Sequence, residues 1–368
     1  MKKTLLAVAI PALLVSGAAS ATTIYNNNGT QVDFNGQMRL GIEYNDQRDE
    51  AGENGTKIRD TGSRFGFAVK HDLGNDLYGI GELEFGNNTQ SKESEFKLKN
   101  RKAYVGLGLT DIGEFTYGRV LSPFDDVAMS DYSYVYGGIL DFGHVIERNG
   151  QSGGSDNFIG RVSNTIKVMS ADFNGFSAGA TYTMQGEEEW NADGSDAKRS
   201  KDIDNAYTLS VFYDTGFGLK ANAGYGHANY NGGSWLDTDN NLVEYKDAKA
   251  DIFGASVEYS IADFAIAFDI GQSQAKEDGW KGKVNLYGVG TKYNITDKSK
   301  LYALYSYADG KKDVSDESEQ RVILGADYRF TPAVRTFLEY SWTKEKFQEA
   351  NKDTEKTNEV MLGMRFYF

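Results

Sequence analysis

Cysteine is missing from all 368 residues, and proline and histidine occur three times each. Without thiols there is no disulfide framework and no Cys-rich ligand set for structural zinc. His71, His144 and His227 are too scattered in the chain to imply a metal centre. No Ser-His-Asp set or pair of catalytic carboxylates can be argued from spacing, so neither a cofactor nor an enzyme is expected. Basic residues are outnumbered, 39 Lys and Arg against 53 Asp and Glu, for a formal charge of −14. Phosphate backbones are held by Lys and Arg, which excludes nucleic acid as a partner. After the first 21 residues there is no apolar run of the roughly 20 residues a membrane helix needs. That absence excludes helical spans only: a strand barrel crosses a bilayer on alternating residues and stays polar on average. Mean hydropathy here is −0.52.

The single apolar run opens the chain. Lys2 and Lys3 precede an apolar stretch from Leu5 to Val15, followed by Ala19-Ser20-Ala21. A basic start, a short apolar core and an A-x-A site read as a cleaved secretory leader, residues 1–21, ahead of one domain, 22–368. Cleavage removes Lys2 and Lys3 and shifts the formal balance from −14 to −16.

Glycine (42), tyrosine (23) and phenylalanine (21) are abundant, and the dominant pattern has a period of two. From Gln31 to Tyr44, Val32, Phe34, Met38, Leu40, Ile42 and Tyr44 share one face, with Asp33, Asn35, Gln37, Arg39 and Glu43 opposite. At the other end Val360, Leu362, Met364, Phe366 and Phe368 share a face, with Glu359, Met361, Arg365 and Tyr367 opposite. Phe65–Val69, Tyr207–Tyr213, Phe264–Ile270, Val322–Phe330 and Val334–Trp342 behave alike. No comparable stretch carries a 3.6-residue stripe, so the chain is all-β. Gly79-Ile80-Gly81 and Gly106-Leu107-Gly108 precede strand rather than helix, and mark close backbone approach rather than a phosphate cradle.

The connections alternate in length. Short turns are expected at His71–Asp76, Thr110–Gly113, Asp172–Gly175, Asp214–Gly216, Ile261–Asp263, Asn294–Ser299 and Thr331–Ala333. Longer polar loops are expected at Asn45–Gly62, Gly86–Phe96, Val120–Asn157, Gln185–Asn205, Asn231–Lys249, Ser273–Gly282, Ala308–Ser318 and Thr343–Lys356. The acidic runs Glu187-Glu188-Glu189 and Asp237–Asp239 fall in these loops as solvated tips or divalent-cation sites. Seven turns and eight loops predict about sixteen antiparallel strands in up-and-down order, the pattern of a transmembrane β-barrel. Hydrocarbon offers no partner to an open sheet edge, so the first strand must pair with the last. A soluble sandwich would have short loops on both sides. Tyr44, Phe85, Tyr182, Tyr213, Tyr259, Tyr293, Phe330 and Trp342 lie near strand ends, where interfacial aromatics belong.

Several segments resemble the general diffusion porins of Gram-negative bacteria. They are Ile24-Tyr25-Asn26 through Gly29 with Val32-Asp33-Phe34-Asn35-Gly36, then Gly113-Glu114-Phe115-Thr116-Tyr117-Gly118-Arg119, and Asp156-Asn157-Phe158-Ile159-Gly160-Arg161-Val162. The terminal Phe368 matches the aromatic that such chains present to the barrel-insertion machinery. The resemblance implies an outer-membrane homotrimer of sixteen-stranded barrels among lipid and lipopolysaccharide, with the long third loop folded into the lumen. That loop, Val120–Asn157, holds Asp125, Asp126, Asp131 and Asp141. By motif, Arg64, Arg101 and Arg161 match the arginine ladder such loops face. The first-strand ladder position falls on Gln37, with Arg39 on the same face, and Asp131 matches one loop acid. The family's Pro-Glu-Phe-Gly-Gly run is replaced by Tyr134-Val135-Tyr136-Gly137-Gly138.

Independently of the family, Arg39, Arg64 and Arg161 sit mid-strand on the polar face, where lipid exposure would cost about 2–4 kcal/mol. They must point to water or protein. Taken singly, each could pair with a neighbour such as Glu82 or Glu84; taken together with the loop aspartates they create a transverse field that favours small hydrophilic solutes and ions. The expected function is a passive, modestly cation-preferring channel. A surface adhesin or anchor with a plugged lumen, and a substrate-selective channel built on Tyr132, Tyr134 and Tyr136, stand as alternatives.

Overall fold

The computed structural model describes residues 21–86, 98–137, 158–185, 203–231, 233–236, 242–245, 247–277, 280–312, 316–346 and 354–368. The expected leader other than Ala21, Asp141, His144 and the two acidic loop tips lie outside these residues.

Twenty strands follow in order: β1 Thr22–Asn27, β2 Thr30–Asn45, β3 Thr56–Asp60, β4 Arg64–Gly74, β5 Leu77–Gly86, β6 Lys99–Leu109 and β7 Gly113–Leu121. Next come β8 Arg161–Ser170, β9 Phe176–Thr183, β10 Ile203–Asp214, β11 Leu219–Tyr230, β12 Gly233–Leu236, β13 Leu242–Tyr245 and β14 Ala248–Ile261. The last are β15 Phe264–Glu277, β16 Trp280–Thr296, β17 Ser299–Lys312, β18 Asp316–Thr331, β19 Val334–Lys346 and β20 Glu355–Tyr367. Each barrel strand pairs antiparallel with its neighbours in sequence, and β2 pairs with β20 from Gln37↔Tyr367 to Asn45↔Glu359. The ring is therefore a closed sixteen-strand barrel. β1 and β3 are extra pieces. β3 continues the β4 position along β2, while β1 pairs with β2 below the point where β20 ends. β12 and β13 form a separate hairpin.

The period-two pattern decides the faces. On β2, Met38, Ile42 and Tyr44 are exposed outward while Gln37 and Glu43 are buried inward; on β20, Leu362 and Met364 are exposed and Met361 and Arg365 buried. The outward rows belong to lipid, which explains why so many large apolar side chains lie on the surface. Short turns close seven hairpins at the expected places. At the β4–β5 turn Asn75 and Asp76 both have positive φ, 54° and 62°, as a type I′ hairpin turn requires.

Two expected loops are mostly strand. β15 continues through Glu277 and β16 begins at Trp280, within Ser273–Gly282; β17 reaches Lys312 and β18 starts at Asp316, within Ala308–Ser318. Hydrophobic alternation marks where lipid ends, but ladder hydrogen bonds continue into water with polar residues on both faces. The first expected loop also holds β3 and a short helix, Asp46–Glu50, with Asn45 as its N-cap accepting from the Arg48 amide, and the expected loop Asn231–Lys249 holds the β12–β13 hairpin.

Candidate functional site

The third connection leaves β7 through Ser122, whose hydroxyl accepts from the Phe124 amide (3.1 Å) and opens a 3-10 turn, Pro123–Asp126. Proline at the start of the turn costs no donor that the turn needs. From there residues 122–137 run along the inward face of strand after strand. Ser122 meets Thr208 of β10 at 2.9 Å, and Asn222 of β11 donates to the Asp126 carbonyl at 3.0 Å. Asp269 of β15 accepts from the Met129 and Ser130 amides (both 3.0 Å) and the Ser130 hydroxyl (2.7 Å). The Tyr132 hydroxyl donates to Glu258 of β14 at 2.5 Å.

Tyr134 is the most heavily held residue of the segment. Its hydroxyl donates to Asp327 of β18 and accepts from Arg335 of β19, and its carbonyl accepts from Arg365 of β20. Its ring lies 4.9 Å from the Phe337 ring, with the Lys300 ammonium 4.7 Å and the Arg365 guanidinium 4.6 Å from its centre. Glu339 of β19 accepts the Tyr134, Val135 (3.0 Å) and Tyr136 (3.4 Å) amides in succession, and the Tyr302 hydroxyl at 2.7 Å. The Tyr136 hydroxyl reaches Glu43 of β2 at 3.3 Å, and its carbonyl accepts from Arg321 at 2.7 Å. Burial first, and then these carboxylates, push the hydroxyls of Tyr132, Tyr134 and Tyr136 well above the ordinary phenol range, so they remain neutral donors.

Two glycines make the close approach possible. A Cβ on Gly224 would come within 2.8 Å of Phe124 and Val127, and one on Gly290 within 1.7 Å of the Ser130 carbonyl. Gly290→Val should therefore push the segment off Asp269. Hydrogen exchange at the Met129 and Ser130 amides should speed up by roughly tenfold or more, as expected for losing bonds to an ionised acceptor. Unchanged exchange would mean that the contact is not made.

The side of the lumen formed by β2 to β8 is cationic. Arg64 and Arg101 both contact Glu84 of β5, at 3.4 and 2.7 Å. Arg39 donates through Nε to Gln37 (2.7 Å), and its backbone amide bonds the Ser63 hydroxyl (2.9 Å). The charges of Arg39, Arg64, Arg101 and Arg365 act on one another, and Arg161 faces Arg101, Arg119, Glu84 and Asp125. All four arginines expected from sequence thus meet here. The neighbour pairing that sequence left open exists for Arg64 and Arg101. One glutamate is shared between them, so the cluster keeps an excess of positive charge. Arg101 and Arg161, with Asp60, Ser63, Lys99 and Arg119, line a cavity of about 380 Å³.

The three loop aspartates go to different places. Asp125 acts on Arg161, Asp126 on Lys167 and Lys102, and Asp131 on Arg321, its carboxylate accepting from the Ser133 amide at 2.8 Å. Sequence reasoning missed Arg365 and the wall acids Glu258, Asp269, Asp327 and Glu339 as site residues. Their signal was the one that found Arg39: a charge on the polar parity of an alternating strand. His71 and His227 stand apart, His71 beside the Thr30 hydroxyl (2.6 Å) and His227 beside Asp251 (2.8 Å).

The model of the Gram-negative porin family matches residues 5–348. A major outer membrane protein of Pasteurella multocida (strain Pm70) is 31% identical over 378 residues, covering the whole of both chains. Outer membrane porin F of Escherichia coli (strain K12) is 27% identical over 374 residues, spanning all of this chain and 90% of that one. Among solved structures, outer-membrane expressed OmpT of Vibrio cholerae superposes with a TM-score of 0.71 at 23% identity, covering 94% of this chain and 100% of the other.

Proposed function

The chain belongs to the Gram-negative porin family and is an outer-membrane porin, and on that premise we propose that it is a general diffusion pore, narrowed by its third loop and modestly cation-preferring. The observation that carries this reading is the course of residues 122–137, held by Asp269, Glu258, Asp327 and Glu339 against one side of the inner wall. The segment lies in the lumen and leaves the Arg39, Arg64, Arg101 and Arg161 cluster lining the other side. Solutes that orient a dipole between the two and exchange hydration for protein hydrogen bonds pass; apolar solutes gain nothing. Tyr132, Tyr134 and Tyr136 have their hydroxyls committed to wall carboxylates, which favours a nonspecific channel over one that recognises a substrate through these rings.

Selectivity is a competition. The acidic excess of the whole chain lies largely in the external loops and attracts cations to the mouth, while the arginine cluster attracts anions. Mouth charges act over a screening length of about 8 Å at physiological salt and 3 Å at 1 M, so the cation preference fades as salt rises. Three copies of the barrel form the functional unit, inserted by the assembly machinery among lipid and lipopolysaccharide.

Planar-bilayer recording of the purified protein tests this reading. Large ohmic steps in groups of three are expected, with a cation-side reversal potential in dilute salt gradients. Asp131→Asn should shift that potential toward anions, and Arg64→Ala should shift it the other way and widen the pore. An inserted but silent protein would establish the anchor instead. A reversal potential that neither substitution moves would remove these two residues from the constriction.

A further inference from the structure

The first loop does not stand clear of the pore. The short helix Asp46–Glu50 reverses the chain, and β3 returns antiparallel beside β2, with Lys57 opposite Glu43 and Arg59 opposite Gly41. Ile42 and Ile58 are both exposed on the outward face, so Glu43 and Arg59 belong to the lumen face. The Asn45 side chain accepts from the Arg48 amide (3.2 Å) and fixes the first helical turn. That turn carries the Arg48 guanidinium to Glu43 (3.0 Å) and the Gly55 carbonyl (3.2 Å). Arg48 donates to one oxygen of the Glu43 carboxylate and Arg59 to the other. Glu43 is only 2% exposed. A carboxylate buried so deeply needs paired charge, and both guanidiniums that pair with it come from the first loop.

A further partner of Glu43 comes from the third loop. The Tyr136 hydroxyl donates to Oε1 (3.3 Å), the oxygen that Arg59 also holds. Tyr136 is buried and ends the run of amides fastened by Glu339, whose bond to it (3.4 Å) is longer than the one to Val135 (3.0 Å). Its placement therefore leans on the hydroxyl, and on the carbonyl that Arg321 holds at 2.7 Å. The other wall carboxylates on the segment, Asp269, Glu258, Asp327 and Glu339, are met by the third loop and by wall strands. Of the carboxylates that hold the segment, among the described residues, Glu43 alone is shared with a second external loop. The first loop is also fastened to β20. Asp46 accepts from the Asn358 amide (2.8 Å) and side chain (2.6 Å), and Asn45 donates to Glu359 (2.9 Å).

We propose that Arg48 and Arg59 are positioning residues of the constriction: through Glu43 they seat Tyr136, so the placement of the first loop sets the width and steadiness of the pore. The inference rests on the reading of residues 122–137 as the constriction. One shared acceptor makes the link. With both guanidiniums in place, Glu43 is fixed where the phenol needs it. Without them, the cation left on the facing strand is Lys57, which is exposed. An unpaired buried carboxylate is strongly unfavourable, so the side chain turns toward water and the phenol loses its acceptor. The Tyr136 backbone then keeps its bond to Arg321 and the long one to Glu339, and the end of the segment swings into the lumen. Lifting the first loop from outside has the same result, because the two loops meet at one packed, hydrogen-bonded joint.

Single-channel recording of the purified protein compares wild type with R48Q/R59Q, Y136F and the triple variant. At about 1 M salt the screening length is about 3 Å, so lost mouth charge acts little on the pore and the readout reports position. R48Q/R59Q should raise open-channel current noise severalfold, and Y136F should do the same. The triple variant should add nothing further, since both changes remove one joint. Amide exchange at Tyr136 should speed up on the order of tenfold in R48Q/R59Q. Met129 and Ser130, held by Asp269, should keep wild-type exchange. R48Q alone leaves β3 untouched and should move the same readouts less; it decides the matter if the double variant does not fold. Wild-type noise or wild-type Tyr136 exchange in the folded variant, or additive noise in the triple variant, would overturn the coupling. A silent wild type would sink the channel reading, and Tyr136 exchange would still decide the link between the loops.

Discussion

Removal of Phe368 is expected to cut the amount of folded barrel in the outer membrane severely, while any barrel that does assemble conducts like wild type. Phe368 closes the seam. Its carbonyl accepts from the Gly36 amide (2.7 Å) and its amide donates to the Gly36 carbonyl (3.1 Å), where β20 stops and β1 takes over beside β2. The Phe368 ring lies 5.4 Å from Phe34, over a glycine whose Cβ would come within 2.6 Å of it. Without Phe368 both Gly36 groups lose their partners at the seam between β2 and β20, and unpaired backbone in a membrane costs several kcal/mol. Phe366→Ala is the contrasting variant. That ring faces outward beside Met38 and Val334, and its loss leaves the ladder whole. Quantitative immunoblots of outer-membrane fractions should show a far larger loss for the deletion than for Phe366→Ala. Equal levels would show that the seam does not depend on Phe368.

Strand parity made most of the barrel legible. The alternation from Gln31 to Tyr44 names the lipid face and the lumen face residue by residue, because a sheet buried on one side in hydrocarbon tolerates no slip of register. Turn positions were legible for a local reason as well: Asn, Asp and Gly are the residues that accept positive φ, as at Asn75 and Asp76. The ends of β15 to β18 were not, since backbone pairing past the bilayer needs no apolar residue. Nor was β1, whose place at the seam depends on where β20 stops. At the site, Arg39, Arg64 and Arg161 stood out as charges on the polar parity and Arg101 by its resemblance to a ladder position; they do converge, although Arg64 and Arg161 open β4 and β8 rather than sitting mid-strand. What could not be read was the destination of Asp131 and the course of the third loop. Tyr134 meets Asp327 and Glu339 about 200 residues further along the chain, and nothing in either local sequence points to the other. The wall acids carried a readable parity signal that was given to the arginines alone.

Glu339 should be the residue whose loss opens the pore most. It is fully buried, and a single carboxylate holds three consecutive amides of the loop, those of Tyr134, Val135 and Tyr136, besides the Tyr302 hydroxyl. Arg335, Arg365 and Lys300 stand around the same tyrosine, so the carboxylate also balances their charge. Glu339→Ala removes every one of these acceptors at once and leaves Asp327, 3.5 Å from Arg335, as the remaining carboxylate among these cations. Breaking a buried charge cluster in this way costs about 3–5 kcal/mol. The barrel ladder does not pass through this side chain, so the loss falls on the loop rather than on the wall. The 132–137 segment should then leave β18 to β20 and sample the lumen. Single-channel conductance should rise and its current noise should increase, while the barrel stays folded. Glu339→Gln keeps one carbonyl acceptor and the volume of the side chain but loses the charge, and should fall between the two. Asp309→Asn, on the outward face of β17 opposite Asn285 and Ser318, controls for loss of a carboxylate that does not touch the loop. Wild-type conductance and noise in Glu339→Ala, with amide protection retained at Val135 and Tyr136, would show that Glu339 does not hold the constriction in place.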